Sequence, residues 1–131
     1  NRNYIFELML VSNLYRILNQ QQEGTVIRAE LEVDPLHDIF KGHFPSVPVL
    51  PGVCMVQCVK EVLESALNKK TQLKKADMIK FLTMLNPQES TLIVTEIVIR
   101  EQTDSEISFQ ASLKSNNQFL LKYTGSLYIL N

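Results

Sequence analysis

The feature that most constrains this chain is a proline-rich stretch that runs straight into an apolar one. Between Asp34 and Pro51 it carries four of its five prolines together with Gly42. Proline locks its own φ and donates no backbone N–H, so Pro35, Pro45, Pro48 and Pro51 at this density fit neither a helix nor a central strand. The stretch is predicted as an ordered loop, and loops of this length inside a domain are often functional. Gly52–Asn68 then reads as a helix. Pro51 suits its first turn, and Asn68, Lys69 and Lys70 suit its end, where positive charge opposes the helix dipole. From Val53 to Val59 every residue but Gln57 is apolar, which predicts burial on all sides. Beyond that, Val62, Leu63, Ala66 and Leu67 oppose Lys60, Glu61 and Glu64 on an amphipathic second half.

Around this loop and helix the pattern changes to a period of two. Thr25–Val33 alternates Ile27, Ala29, Leu31 and Val33 with Arg28, Glu30 and Glu32, as a half-buried strand does. Met9–Leu18 is a candidate partner strand across Asn19–Gly24. After the helix, strands are expected at Asp77–Leu85, Thr91–Arg100, Glu106–Lys114 and Phe119–Leu130. The breaks at Asn86–Ser90, Gln102–Ser105 and Ser115–Gln118 are turn sequences, and three such turns imply an antiparallel meander. The order of strands, proline loop, buried helix and strands predicts an α+β chain in which a long antiparallel sheet wraps one central helix. Thr91–Val98 is apolar on both faces and needs cover beyond one helix, which predicts a homodimer with a continuous sheet and paired helices.

Length and charge narrow the function classes. The 131 residues suffice for one domain and are too short for two ordinary ones. Thirteen basic and fourteen acidic side chains leave a net charge of −1, which gives no electrostatic reason to expect nucleic acid. No apolar run approaches the roughly 20 residues of a membrane helix. Asn1–Leu18 carries Arg2, Glu7, Asn13 and Arg16 and no clean apolar core, so no secretory leader is expected. Cys54 and Cys58 lie one helical turn apart, without metal-site spacing. They read as core thiols, with a reactive Cys54 near a helix N-terminus as the alternative. Reduced thiols fit the expectation of a cytoplasmic protein.

The chemistry concentrates in Gly42-His43-Phe44-Pro45-Ser46-Val47-Pro48-Val49-Leu50-Pro51-Gly52-Val53. His43 sits in a loop stiffened by prolines, so little entropy is lost in holding it. The loop ends at a helix N-terminus, whose free N–H groups carry partial positive charge. Gly52 has no side chain to keep a ligand from its N–H. A neutral imidazole beside such a terminus is a base next to an oxyanion site, which suits removing a proton adjacent to a carbonyl. Read from these residues alone, His43 is equally a hydrogen-bonded loop residue. His37, near Asp34 and Asp38, lacks the clustered ligands of a metal site and reads as an exposed loop residue.

The segment resembles the signature of the 3-hydroxyacyl-acyl carrier protein dehydratases of the hotdog superfamily: Gly-His-Phe-Pro, then Pro-hydrophobic-hydrophobic-Pro-Gly, then an apolar helix. The likeness runs from Gly42 through Gly52. It continues more weakly at Thr25–Val33 and at Lys75–Phe81, which looks like the family strand ending in Lys/Arg-Phe. The resemblance implies a hotdog domain over residues 1–131 that forms a double-hotdog dimer. It implies a site between subunits with no metal and no organic cofactor. His43 and the residue fourteen positions on, Gln57, take the catalytic positions, while Phe44, Pro51, Gly52 and Val53 border the substrate. His43 is then the base for the α-proton, and the Gly52 N–H the thioester-oxygen donor. The family carries Glu or Asp where this chain has Gln57. An amide orients a hydroxyl or water but has no acidic proton at neutral pH. Glu61, one turn further, is a possible replacement acid.

The implied partner is acyl carrier protein bearing the acyl substrate, with Lys69, Lys70, Lys74 and Lys75 as a candidate contact. Two other functions stay open: a hotdog thioesterase drawing its carboxylate from Glu61 or Glu64, and a non-catalytic acyl-carrier-binding subunit of a dehydratase, for which Gln57 speaks.

Overall fold

The computed structural model describes residues 13–42 and 48–131. Strands β1 (Tyr15–Glu23) and β2 (Val26–Val33) come first, followed by the one-turn helix α1 (Ile39–Gly42) and the long helix α2 (Gly52–Leu67). Strands β3 (Thr71–Phe81), β4 (Leu92–Gln102), β5 (Glu106–Ser115) and β6 (Gln118–Ile129) complete the chain. They form one sheet in the order β1-β2-β4-β5-β6-β3, antiparallel at every pairing.

The period-two pattern builds the sheet's inner face. Ile27 of β2 stands in one row with Ile97, Ala111 and Tyr123, and Ala29 in the next row with Thr95, Leu113 and Leu121. All eight are buried. Helix α2 lays Cys54, Met55, Cys58, Val59, Val62 and Leu63 on this face. Each fully buried side chain of this size contributes about 1.5–3 kcal/mol, so the packed face rather than helix propensity holds α2 in place. Two-residue turns set the hairpin registers. Gly24 (φ 59) opens the β1–β2 turn, and Asn116 and Asn117 (φ 52 and 63) make the β5–β6 turn, where both central residues are left-handed.

Helix α2 ends as its sequence implies. Asn68 is left-handed (φ 54, ψ 40) and donates its N–H to the Glu64 carbonyl. The Glu64 carboxylate then accepts the Thr71 N–H at 2.7 Å and the Thr71 hydroxyl at 3.2 Å, which ties the helix end to the start of β3.

Several expectations are corrected. The partner of β2 is Tyr15–Glu23, not Met9–Leu18, so Gln20, Gln21 and Gln22 lie within a strand; residues 9–12 lie outside the described part. The third strand is Thr71–Phe81, not Asp77–Leu85. Both are edge strands with mostly exposed side chains, so neither needs the alternation that marks half-buried strands. In β3 two register shifts, at Lys74 and Asp77, break the alternation further. The meander covers β4–β5–β6 only: β3 pairs with β6, and β4 with β2. The segment between β3 and β4 therefore crosses the molecule. On the way the Leu85 carbonyl accepts the Leu50 N–H (2.9 Å), and Asn86 caps a turn by accepting the Gln88 N–H on its side chain (2.9 Å). The proline loop also contains one helical turn, α1, whose start is held by the Ile39 N–H donating to His37 Nδ1 at 3.0 Å.

Candidate active site

The chain enters α2 through Pro51, extended at φ −61, ψ 143, whose carbonyl accepts the N–H groups of Cys54 (3.0 Å) and Met55 (3.4 Å). The helix therefore starts at Gly52, as predicted, and its first N–H groups have no acceptor within the helix. The lack of a side chain at Gly52 matters in an unforeseen way. A Cβ there would lie 2.6 Å from Phe81 Cε1 and 2.7 Å from Phe81 Cζ, so the Phe81 ring lies over the helix start. Phe81 was legible only as the end of the Lys80-Phe81 pair, and nothing in the sequence tied it to this terminus.

Helix α2 is not buried all round. Val53 is 58% exposed, and Val56, Gln57 and Lys60 are half-buried, with Val56 packed against the edge of the core. Together with Leu73 and Tyr123 they border a cleft of about 380 Å³, which also reaches Thr71, Gln72, Phe109 and Leu127. Its floor is an edge-to-face pair, Phe109 and Tyr123, with ring centroids 5.0 Å apart and planes at 89°. Burial pushes the Tyr123 hydroxyl's pKa upward, so it stays a hydrogen-bond donor throughout the neutral range. A larger depression, about 610 Å³, lies beside Asn13, Arg16, Glu32 and Pro35, but no residue of α2 borders it.

The structure brings Val53 and Gln57 together on the cleft, with Gly52 and Pro51 at the helix start. Gln57 borders the cleft, half-buried. His43 and Phe44 lie outside the described residues. Glu61 is half-buried one turn beyond Gln57, whereas Glu64 is committed to Thr71. Cys54 and Cys58 are core thiols. Burial raises Cys54 to about 11, and Cys58, more deeply placed beside Cys54, is raised further, so the reactive reading of Cys54 does not hold. His37 is half-buried rather than exposed. Of the lysines expected as a basic cluster, Lys74 pairs with Glu106 at 2.8 Å, Lys75 pairs with Asp77 at 3.3 Å, and Lys69 donates to Asn131. Among the described residues no group of three His, Cys, Asp or Glu could hold a metal ion, and no helix is long and apolar enough to cross a membrane.

An antiparallel sheet laid on one long helix, with a cleft along that helix's first turns, defines the hotdog class. Solved structures of that class share it. The chain superimposes on the dehydratase heterocomplex ApeI:P from Xenorhabdus doucetiae with a TM-score of 0.68 at 24% identity, covering 86% of this chain and 96% of that one. It superimposes on a mutant thioesterase of Staphylococcus aureus with a TM-score of 0.64 at 15% identity, covering 98% and 99%. Identities this low speak for the fold alone. The sequence itself is more specific: residues 19–122 match the ApeI-like family, described as ApeI dehydratase, and the chain belongs to this dehydratase family. It is also 28% identical over 100 residues to the 3-hydroxyacyl-[acyl-carrier-protein] dehydratase FabZ of Caldicellulosiruptor saccharolyticus, covering 71% of this chain and 69% of that protein.

Proposed function

We propose that this chain dehydrates 3-hydroxyacyl thioesters carried by acyl carrier protein to 2-enoyl thioesters, in fatty-acid synthesis or a related lipid or polyene pathway. The observation that carries this reading is the geometry of α2, which starts at Gly52 and turns Gln57 onto an open cleft. The thioester oxygen binds at the Gly52 N–H, where an enolate's developing charge is stabilised by the helix terminus. His43 takes the α-proton. The hydroxyl departs with a proton as water, and because Gln57 has none to give, the proton held by His43 is the one returned to the leaving oxygen. Gln57 orients that oxygen. Pro51, Val53 and Phe44 enclose the acyl group around it.

The working unit is a homodimer with one hotdog domain per chain, residues 1–131, in which His43 of one chain faces the partner's Gln57. Incubation with 3-hydroxyacyl-acyl carrier protein of several chain lengths, followed by mass spectrometry, tests the reading. Loss of water supports it. Release of free acid means a thioesterase, and an unchanged acyl chain means a binding subunit. Gln57 favours the binding subunit as second reading, because a neutral amide stands where the family carries an acid. The thioesterase is left with Glu61 as its carboxylate, since Glu64 already holds Thr71.

A further inference from the structure

One polar group on the cleft is not used by the reading above. Tyr123 is 2% exposed and stands on the inner face of β6, between Ile79 of β3 and Ala111 of β5. It borders the same cleft as Gln57. A buried tyrosine usually finds a hydrogen-bond partner for its hydroxyl. Among the described residues the Tyr123 hydroxyl has none. Its oxygen is not sealed in the core either, as the Tyr15 oxygen is, so it opens on the cleft.

The local structure fixes the ring and leaves the oxygen without a partner. Phe109 of β5 stands directly across from Gly125, and Tyr123 lies two residues before Gly125 on the same face of β6. The Tyr123 ring meets Phe109 edge to face along this diagonal. Gly125 makes the room for it. A Cβ there would lie 3.1 Å from Tyr123 Cε1 and 2.6 Å from the Lys75 carbonyl oxygen. The ring therefore leans over Gly125 and is held by packing alone. A donor kept dry and unpaired costs stability, and such violations of local economy are expected where a ligand completes them.

We infer that the Tyr123 hydroxyl donates a hydrogen bond to the 3-hydroxyl oxygen of the acyl chain, so that Tyr123 and Gln57 together select and hold that group. The inference rests on the dehydration reading for the identity of the substrate. The acyl part of that substrate carries two oxygens. The thioester oxygen goes to the Gly52 N–H, and the 3-hydroxyl goes to Gln57, with which Tyr123 shares the cleft. Thr71, the other hydroxyl on the cleft, is already held by Glu64. A substrate hydroxyl offers one O–H and two lone pairs. The Gln57 side-chain carbonyl accepts the O–H, and Tyr123 donates to a lone pair.

The division of labour follows the electrons. The α-C–H bond breaks, its proton goes to His43, and its electron pair forms the carbon–carbon double bond. The bond between C3 and oxygen breaks with its pair on the oxygen. The Tyr123 hydrogen bond strengthens as charge grows there. The oxygen then takes the proton from His43 and departs as water, while Tyr123 keeps its own. A chain without the 3-hydroxyl leaves both Tyr123 and Gln57 unpaired, so the cleft discriminates against it.

Binding without turnover tests this. Hydroxylated and plain acyl chains of one length are joined to acyl carrier protein through an amide, whose α-proton is too weakly acidic to be removed. The full chain should bind the 3-hydroxyacyl form about tenfold or more tighter than the plain acyl form. Tyr123→Phe keeps the ring on Phe109 and removes one oxygen. It should cut that preference by about fivefold to tenfold, through weaker binding of the hydroxylated chain alone. Its urea midpoint should stay or rise, because no protein partner is lost, whereas a hydroxyl with a structural role would lower it. An unchanged preference in Tyr123→Phe, or a preference lost together with the urea midpoint, overturns the inference. So does a wild-type protein that binds both chains alike. A preference that Tyr123→Phe removes supports the inference even where mass spectrometry finds the thioester substrate unchanged, and only the dehydration reading then falls.

Discussion

Gln57 concentrates the functional question at the scale of single residues. If His43 is the base and Gln57 only orients, His43→Ala should abolish dehydration, measured as enoyl product by mass spectrometry. Gln57→Ala should cost about tenfold, since one neutral hydrogen bond is worth about 0.5–1.5 kcal/mol. Gln57→Glu should raise the rate and add an acidic limb to the pH–rate profile, because a carboxyl in a sheltered cleft stays protonated long enough to act as an acid. The buried thiols make a second, independent prediction. Below about pH 8 Cys54 is protonated both folded and unfolded and adds no pH dependence. From its ordinary value of 9.0 upward the unfolded chain releases a proton that the folded chain keeps to about 11. Stability should therefore fall across that window, by up to about 3 kcal/mol from Cys54. Urea unfolding from pH 8 to 11, with Cys54→Ala removing part of the slope, checks the sign.

At the scale of elements, α2 was legible because proline and glycine mark its start and Asn68 its end. Its surroundings were less so. The all-apolar first turns of α2 predicted burial on every side, yet the single chain leaves Val53 and its neighbours open, because the sheet covers only one face of a helix. The strands β4, β5 and β6 emerged close to their predicted limits, since one face of each is buried and alternation is then enforced. The edge strands β1 and β3 were displaced by about six residues because nothing buries them enough to enforce a pattern. The clamp between Glu64 and Thr71 carries a prediction at this level. A carboxylate holding two donors in a partly buried setting is worth about 1.5–3 kcal/mol, so Glu64→Ala should lower the urea midpoint accordingly. Thr71→Val, which keeps the N–H partner, should lower it less.

The whole molecule is asymmetric: both sheet edges show exposed apolar side chains, Ile17 and Leu18 on β1 and Leu73, Ile79 and Phe81 on β3, but the open cleft along α2 lies beside β3 alone. The asymmetry predicts that association runs through one side only. Ile79→Lys should shift light scattering toward monomer while leaving the far-ultraviolet circular dichroism unchanged, since Ile79 stands at the edge and adds little to the core. A charge placed on the β1 edge, as in Gln21→Lys, should leave the mass unaltered.

The sequence by itself determined the α+β class, the loop that delivers the chain to Gly52, the length of the helix and the membership in a dehydratase family. Each of these rests on local chemistry: the fixed φ of proline, the left-handed tolerance of asparagine, the alternation of a half-buried strand. Only the tertiary structure decided that β3 closes beside β6, that Phe81 covers the start of α2, that Gln57 faces a cleft and that Lys74 and Lys75 pair with Glu106 and Asp77. Those outcomes depend on which strand edge finds which partner. Backbone hydrogen bonds are nearly alike for every pairing, so the choice falls to long-range packing that no stretch of neighbouring residues records.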